Sequence, residues 1–487
     1  PVFNFLYPLS LYFGEFFHLL GFSFVASIKI VFILSFFFSA FFMYLFVRAL
    51  WPSMPMAAIT AAVFYTYAPY RFLDVYVRGS IGEALSFVFP PLIFWMTYRL
   101  GRQWNAFVFI LASFAFAGLI TAHNTMAMLF VFVFLGYLVF HWLIFRQKQI
   151  ILRWLAPLFM GLGLAAFFWL PALYDKQYVF FDQAVVSNFY AHFPSLRQLL
   201  LPGWGYGPSL PFSDKDLLSF QLGIANLIVL VAAGLLFGFG LFRSSKRLTF
   251  LKKHFKTCFF LLLFLISFFL MNQFSSWVWQ VILVSSLIQF PWRLLSLTTF
   301  AGAFLAGAFV SLVNKRLRLP FSAALIMLVI FLNYNYAKPE CFVNRGEAFY
   351  STNEATTTVA NEYLPIWVKK PPLTRAQEKV EIITGEGEIS NLSTNSRKVS
   401  FIVETESASE IQINTHYFPG WKVKVDGQIT PLAYANDRGL MRLNLQPGQH
   451  YVVASFDETP LRLFADAISG LSFLAMGGLI IKNRRKR

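Results

Sequence analysis

Charge is scarce in this 487-residue chain: 13% of residues are Asp, Glu, Lys or Arg, against roughly 25% in an average soluble domain, while 57% are hydrophobic and 19% aromatic. Apolar runs of membrane-spanning length recur along most of it, which excludes a soluble globular protein. Cysteine is nearly absent too. Cys258 and Cys341 fall on opposite sides of the expected topology, so no disulfide framework exists. The histidines are His18, His123, His141, His192, His254, His416 and His450, and no two stand at metal-ligand spacing. CxxC, HExxH, the P-loop and GxGxxG are all missing, which removes support for zinc hydrolysis and nucleotide binding. No metal site is expected from these residues.

Hydropathy predicts eleven spans, near 24–47, 54–70, 81–98, 105–121, 124–145, 152–174, 221–242, 257–271, 292–313, 320–337 and 463–481. Acidic residues are absent from every second loop. Arg48, Arg99/Arg102, Arg146/Lys148/Arg153, the six cations from Arg243 to Lys256, Lys315/Arg316/Arg318 and the tail KNRRKR together hold 20 of the 40 Lys and Arg, and none of the 23 Asp and Glu. This asymmetry assigns those loops and the C-terminal tail to the cytoplasm. The formal charge of +17 then has anionic lipid headgroups as its counter-charge, and no nucleic-acid partner is expected.

With eleven crossings and the tail inside, Pro1 lies outside. No charged region followed by a cleavage site precedes the first apolar run, so the expectation is a natural N-terminus further upstream, with one more helix.

Two outer segments are large. Residues 174–220 read as loop, with PGWGYGPSLP at 202–211 supplying turn formers. From about 338 to 462 the pattern changes to alternation, in VSFIVETE (399–406), EIQINTHYF (410–418) and HYVVASF (450–456), with turns at DG (426–427) and PG (447–448). Its 13 basic and 15 acidic residues nearly cancel. The expected organisation is a polytopic helical domain over 1–337, with outer loops near 70–81 and 174–220, a β-sandwich over 338–462, and a last span with a basic tail over 463–487.

No Asp, Glu, Lys or Arg falls near an expected bilayer midplane, which argues against an ion-coupled pump. Charge gathers instead at the outer interface. YRFLDVYVRGSIGE, from Tyr70 to Glu83, places Arg71, Asp74, Arg78 and Glu83 between two spans; QFPWRLL carries Trp292 and Arg293; Asp175 and Lys176 open the large loop. Arginine forks match phosphate oxygens, and a carboxylate accepts a proton from a hydroxyl, so such a site suits a lipid-linked phosphate. The same residues also read as scaffolding, with Asp74 and Arg78 a helical ion pair and Arg71 and Arg293 snorkelling to headgroups. His123 lies in TAHNTM, where Thr121 or Asn124 is expected to cap the next helix. Trp421 in FPGWKVKVDG reads as core ahead of a sugar-stacking platform.

The segments PVFNFLYPL, YRFLDVYVRGSIGEALSFVFPPLIFW, TAHN, LIQFPWRLLSL and NEYLPIW resemble the bacterial membrane family labelled "6-pyruvoyl-tetrahydropterin synthase-related". HYFPGWKVKVDGQ followed by LQPGQH is similar to the C-terminal outer domain of YfhO-type membrane proteins. Pterin synthases of that name use three zinc-binding histidines, and the histidine spacing here offers none. The resemblance implies instead a GT-C-like architecture: a polytopic bacterial inner-membrane glycosyltransferase that takes sugar from a polyprenyl-phosphate donor on the outer face and passes it to an envelope glycan, lipid or protein acceptor.

In that superfamily the first outer loop carries an acidic residue and the next often a second, a position that Asp74 matches; the first would lie upstream of Pro1. The resemblance makes Asp74 and Glu83 catalytic candidates, and Tyr70, Arg71, Arg78, His123, Asn124, Trp292, Arg293 and Glu362 substrate-binding candidates. It leaves a divalent metal open and implies no nucleotide or pterin cofactor. The alternative is a non-catalytic membrane protein that binds or exports envelope polymers, with the sandwich for recognition.

Overall fold

The computed structural model describes residues 4–181, 189–213, 217–281, 288–351 and 361–484. They are mostly helical, with a separate β-sheet domain. Among the described residues, seven helices are long and apolar enough to cross a membrane: Phe24–Leu50, Ile81–Arg102, Asn124–Phe145, Ile224–Arg243, Pro291–Leu312, Arg318–Tyr336 and Pro460–Asn483. Two broken helix pairs raise this to nine if each is one span, and the apolar helices Pro55–Thr66 and Ala106–Ala122 are shorter. The eleven predicted stretches all fall on these helices, but two of them are too short to count by length and composition.

The chain divides into two compact units, the helical one comprising Tyr7–Ala165, Ser187–Glu347 and Leu471–Arg487. Within it, Ser23 caps the helix Phe24–Leu50 by accepting the Ala26 N–H at 3.1 Å. Ser27, Val31, Ser35, Ser39 and Met43 then recur every four residues and form its buried stripe. Small residues along such a stripe let neighbouring backbones approach closely, which is how helices associate where solvent supplies no hydrophobic drive. Ser35 and Ser39 satisfy their hydroxyls on the carbonyls of Phe32 and Phe36.

Leu295–Leu312 is the central helix. Its side chains are small or apolar on every face and nearly all are buried, as expected for a helix enclosed by others. A Cβ on Gly307 would lie 2.8 Å from the Ala57 carbonyl oxygen, whereas Gly136 has nothing within 4 Å. Gly307→Ala is therefore expected to lower the melting temperature in detergent by several degrees, a cost of about 1–3 kcal/mol from overpacking against backbone. Gly136→Ala gains about 1 kcal/mol at most, from helix propensity. Equal melting temperatures for the two variants would refute this packing.

The β-containing unit is assembled from Pro1–Leu6, Ala166–Val186 and Ala348–Gly470. Its strands are β1 (Val380–Thr384), β2 (Gly387–Thr394), β3 (Lys398–Thr405), β4 (Ser409–His416), β5 (Trp421–Val425), β6 (Gln428–Thr430), β7 (Leu440–Leu445) and β8 (Gly448–Phe456). A three-stranded sheet runs β1-β4-β7 and a five-stranded one β2-β3-β8-β5-β6, with every pairing antiparallel. Alternate residues from both sheets, among them Phe401, Val403, Ile411, Ile413, Val423, Met441 and Val452, bury a common core. The DG turn closes β5 onto β6 with Asp426 at φ 51° and Gly427 at φ 84°, the pair of positive values a type I′ hairpin needs.

Part of the segment read as loop belongs here. Val179 forms an antiparallel bridge with Pro365, and the Phe180 N–H donates to the Leu364 carbonyl at 3.1 Å. Phe5, Val179 and Phe418 then pack with Tyr363 and Trp367.

Candidate functional site

Proline and glycine set the geometry of the charged stretch. Pro69 opens a single turn, Pro69–Phe72, in the position where its missing N–H costs nothing. Asn333 covers the preceding helix end by donating to the Tyr67 carbonyl at 2.9 Å. The chain then widens into a π-helical turn over Leu73–Val77, closed by the Arg78 N–H on the Leu73 carbonyl at 2.9 Å. Such turns are rare and recur at functional sites, because the extra residue re-aims the side chains that follow. Gly79, at φ 60°, reverses the chain where a side chain would be strained. A new helix begins at Ile81 and carries Glu83 in its first turn, where the free N–H groups favour a carboxylate.

As a result one guanidinium sits between two carboxylates. Arg78 Nη1 donates to Asp74 Oδ1, to Glu83 Oε2 at 2.7 Å and to the Tyr70 hydroxyl at 3.3 Å. The Tyr70 hydroxyl donates in turn to Glu83 Oε1 at 2.5 Å. Asp74 and Glu83 are fully buried, Tyr70 nearly so, and the Arg78 side chain keeps 16% of its surface. The Arg78 guanidinium also lies over the Trp292 ring, 4.9 Å from its centroid. Asp74 Oδ2 is buried with no hydrogen-bond partner. Burial, then the Glu83 charge, pushes the Asp74 carboxyl well above its usual range, against the pull of Arg78 and Arg71.

Arg293 donates to Thr125 Oγ1 at 3.2 Å and to the Ile288 carbonyl at 3.1 Å, and its Nε is without a partner. His123, not Thr121 or Asn124, caps the following helix: its Nδ1 accepts the Met126 N–H at 3.2 Å, and its ring centroid lies 4.4 Å from that of Tyr7. That bond requires Nδ1 to be unprotonated. Burial holds the His123 pKa well below the ordinary range, as Arg293 and Arg78 do, against the opposing charge of Glu83.

Tyr70, Asp74, Arg78, Glu83, His123, Trp292 and Arg293 thus come together in the helical unit. Three predicted residues behave differently. Arg71 is buried between the rings of Phe36 and Phe87, 4.5 and 4.3 Å from their centroids, and its Nη atoms donate to the Ala84 carbonyl and Ser39 Oγ. It neither snorkels nor offers its fork to a phosphate, and instead ties the stretch to its neighbouring helices. Asn124 is exposed. Glu362 belongs to the β-containing unit.

Asp175, grouped by sequence with the interfacial charges, is also in that unit. There it accepts from Arg462 Nη2 at 2.7 Å and Asn4 Nδ2 at 3.0 Å, and is buried. Trp421 is half-buried, its centroid 5.5 Å from that of Phe456, and it lines a cavity of about 920 Å³. Sequence reasoning missed Tyr7, Thr125 and Ser39 as partners of the cluster. The aromatic-proline segment at 3–9 and the hydroxyl-rich TAHNTM were the available signals.

Among the described residues no group of three or more His, Cys, Asp or Glu could hold a metal ion. Chemically, the cluster offers a buried carboxyl with a free oxygen, next to guanidinium charge. Compared with known proteins, the chain matches no protein-family model and no curated protein.

Proposed function

We propose that this protein is an integral membrane glycosyltransferase with GT-C-like architecture, acting at the outer face of a bacterial inner membrane. It takes a sugar from a polyprenyl-phosphate donor and passes it to an envelope acceptor. The observation that carries this reading is Asp74: a fully buried carboxyl with Oδ2 unpartnered, its pKa raised by burial and by the Glu83 charge. Arg78 engages Oδ1 and leaves Oδ2 available to an acceptor hydroxyl.

In the proposed reaction the acceptor hydroxyl gives its proton to Asp74 Oδ2, and its oxygen attacks the anomeric carbon. The bond from that carbon to the lipid-phosphate oxygen breaks, with the electron pair leaving on the phosphate. Arg78 and Arg293 offset that charge, and a single displacement inverts the anomeric centre. Tyr70 and Glu83 hold Arg78 in place, and His123 fixes the start of the helix that carries Thr125. The two carboxylates also suit the rival reading, a non-catalytic protein that binds or exports envelope polymers, because Arg78 is already engaged by both.

The deciding experiment reconstitutes the full chain in liposomes with polyprenyl-phosphate sugars labelled in the sugar, together with an envelope extract as acceptor. Release of label from lipid into acceptor supports transfer. No transfer from any of several donors, by protein that is folded and inserted, leaves the binding reading standing.

A further inference from the structure

A second set of cations in the helical unit lies away from the Asp74 cluster and plays no part in the proposed reaction. It surrounds a cavity of about 820 Å³, at the upper end of the size of small-molecule sites. Arg102, Lys252, Lys253 and Lys256 line it, and no Asp or Glu does. All four belong to the loops that the sequence marks as acid-free.

Trp154 and His141 both line the cavity and are 5% and 8% exposed, and Trp154 Nε1 and His141 Nδ1 are buried without a hydrogen bond. A buried indole N–H ordinarily finds an acceptor. Gly101 keeps the wall thin there, since a Cβ on it would come within 3.0 Å of Trp154 Nε1; a Cβ on Gly240, also in the lining, would lie 2.8 Å from the Phe250 ring. Much of the lining is apolar, including Leu236 and Leu312, which are 46% and 53% exposed on helices of membrane-spanning length.

We infer that this cavity is a binding site for an anionic phospholipid, its phosphate held by Arg102 and the lysines and its acyl chain lying along Leu236 and Leu312. Cations without counter-carboxylates select the charge. The apolar wall is what separates a lipid from a soluble phosphate, which would gain nothing from it. The site would be specific, unlike the diffuse attraction that basic loops exert on any anionic bilayer, and it stands whether or not Asp74 performs chemistry.

The test uses the full chain in neutral detergent, with native mass spectrometry counting bound lipid. Dioleoyl-phosphatidylglycerol should bind in preference to dioleoyl-phosphatidylcholine, and Lys252→Gln with Lys253→Gln should remove about 25-fold of that preference, at about fivefold per lysine. Both lysines are exposed, so the double variant should fold, and Lys252→Arg with Lys253→Arg should keep the preference. Equal binding of the two lipids would overturn the inference, as would a preference that survives the double Gln substitution. Displacement of phosphatidylglycerol by millimolar inorganic phosphate would show a soluble anion to be the ligand and overturn the lipid assignment.

Discussion

Asp74→Asn is expected to abolish sugar transfer, by 100-fold or more, while the protein stays folded and inserted. Asparagine has the same shape and keeps an oxygen that can accept from Arg78, so the contacts of Asp74 Oδ1 survive. What disappears is the ability of the other oxygen to take a proton, and loss of a general base typically costs about 10² to 10⁴ in rate. Stability should move the other way. Burial raises the Asp74 pKa in the folded protein above the ~3.9 of an unfolded chain. Between those two values the folded state holds a proton that the unfolded state has lost, so this residue costs stability as pH rises from about 4. A neutral amide removes that cost, and the melting temperature at pH 7 should be unchanged or higher. Wild-type transfer should correspondingly fall as pH drops and Asp74 protonates. The measurements are initial transfer rates in liposomes and thermal unfolding in detergent, side by side. Normal turnover by Asp74→Asn would sink the catalytic assignment, whereas a lower melting temperature would make the residue structural.

Arg78→Leu should be the most destabilising substitution in the cluster. Arg78 is the ion-pair partner of both Asp74 and Glu83, each fully buried, and removing it leaves two carboxylates in an apolar interior. Breaking a buried pair from one side typically costs about 3–5 kcal/mol, because the surviving charge is uncompensated. Here Glu83 is left as such a charge, and Asp74 loses the donor to its Oδ1. The variant should express poorly or unfold well below the wild-type temperature. Adding Asp74→Asn and Glu83→Gln removes the stranded carboxyls and should restore most of the loss, a coupling that a multiple-mutant cycle reads directly. If Arg78→Leu alone melts like the wild type, the ion pairs are not what holds residues 70–83 in place.

The membrane class and the β-sheet domain were legible because each rests on a local periodicity. Long runs of Phe, Leu, Ile and Val leave helix as the structure that satisfies every backbone group within the segment, and the eleven predicted stretches fall on helices. Lengths were less legible: Pro55–Thr66 ends three residues before Pro69, while the hydropathy runs on past it. Alternation in 399–406, 410–418 and 450–456 fell on β3, β4 and β8 within a residue or two, since period two is the signature of a strand with one buried face. The helix cap at His123 was misplaced by sequence, because a histidine nitrogen can accept the Met126 N–H as a hydroxyl or amide oxygen would.

By itself the sequence determined that this chain is built for a membrane, carries a separate β-sheet domain and concentrates opposed charges in one short stretch. Hydropathy, alternation and residue type are properties of neighbours along the chain, and no contact is needed to read them. The tertiary structure decided which charges meet. Arg71 and Arg78 have identical chemistry, seven residues apart, yet one is locked between Phe36 and Phe87 and the other joins Asp74 to Glu83. The difference comes from a π turn and from the positive φ of Gly79, which aim one guanidinium back at the carboxylates. Asp175 finds Arg462, 287 positions further along the chain, only because the intervening segment returns to it. Such pairings depend on backbone direction and long-range closure, and those exist only in the folded molecule.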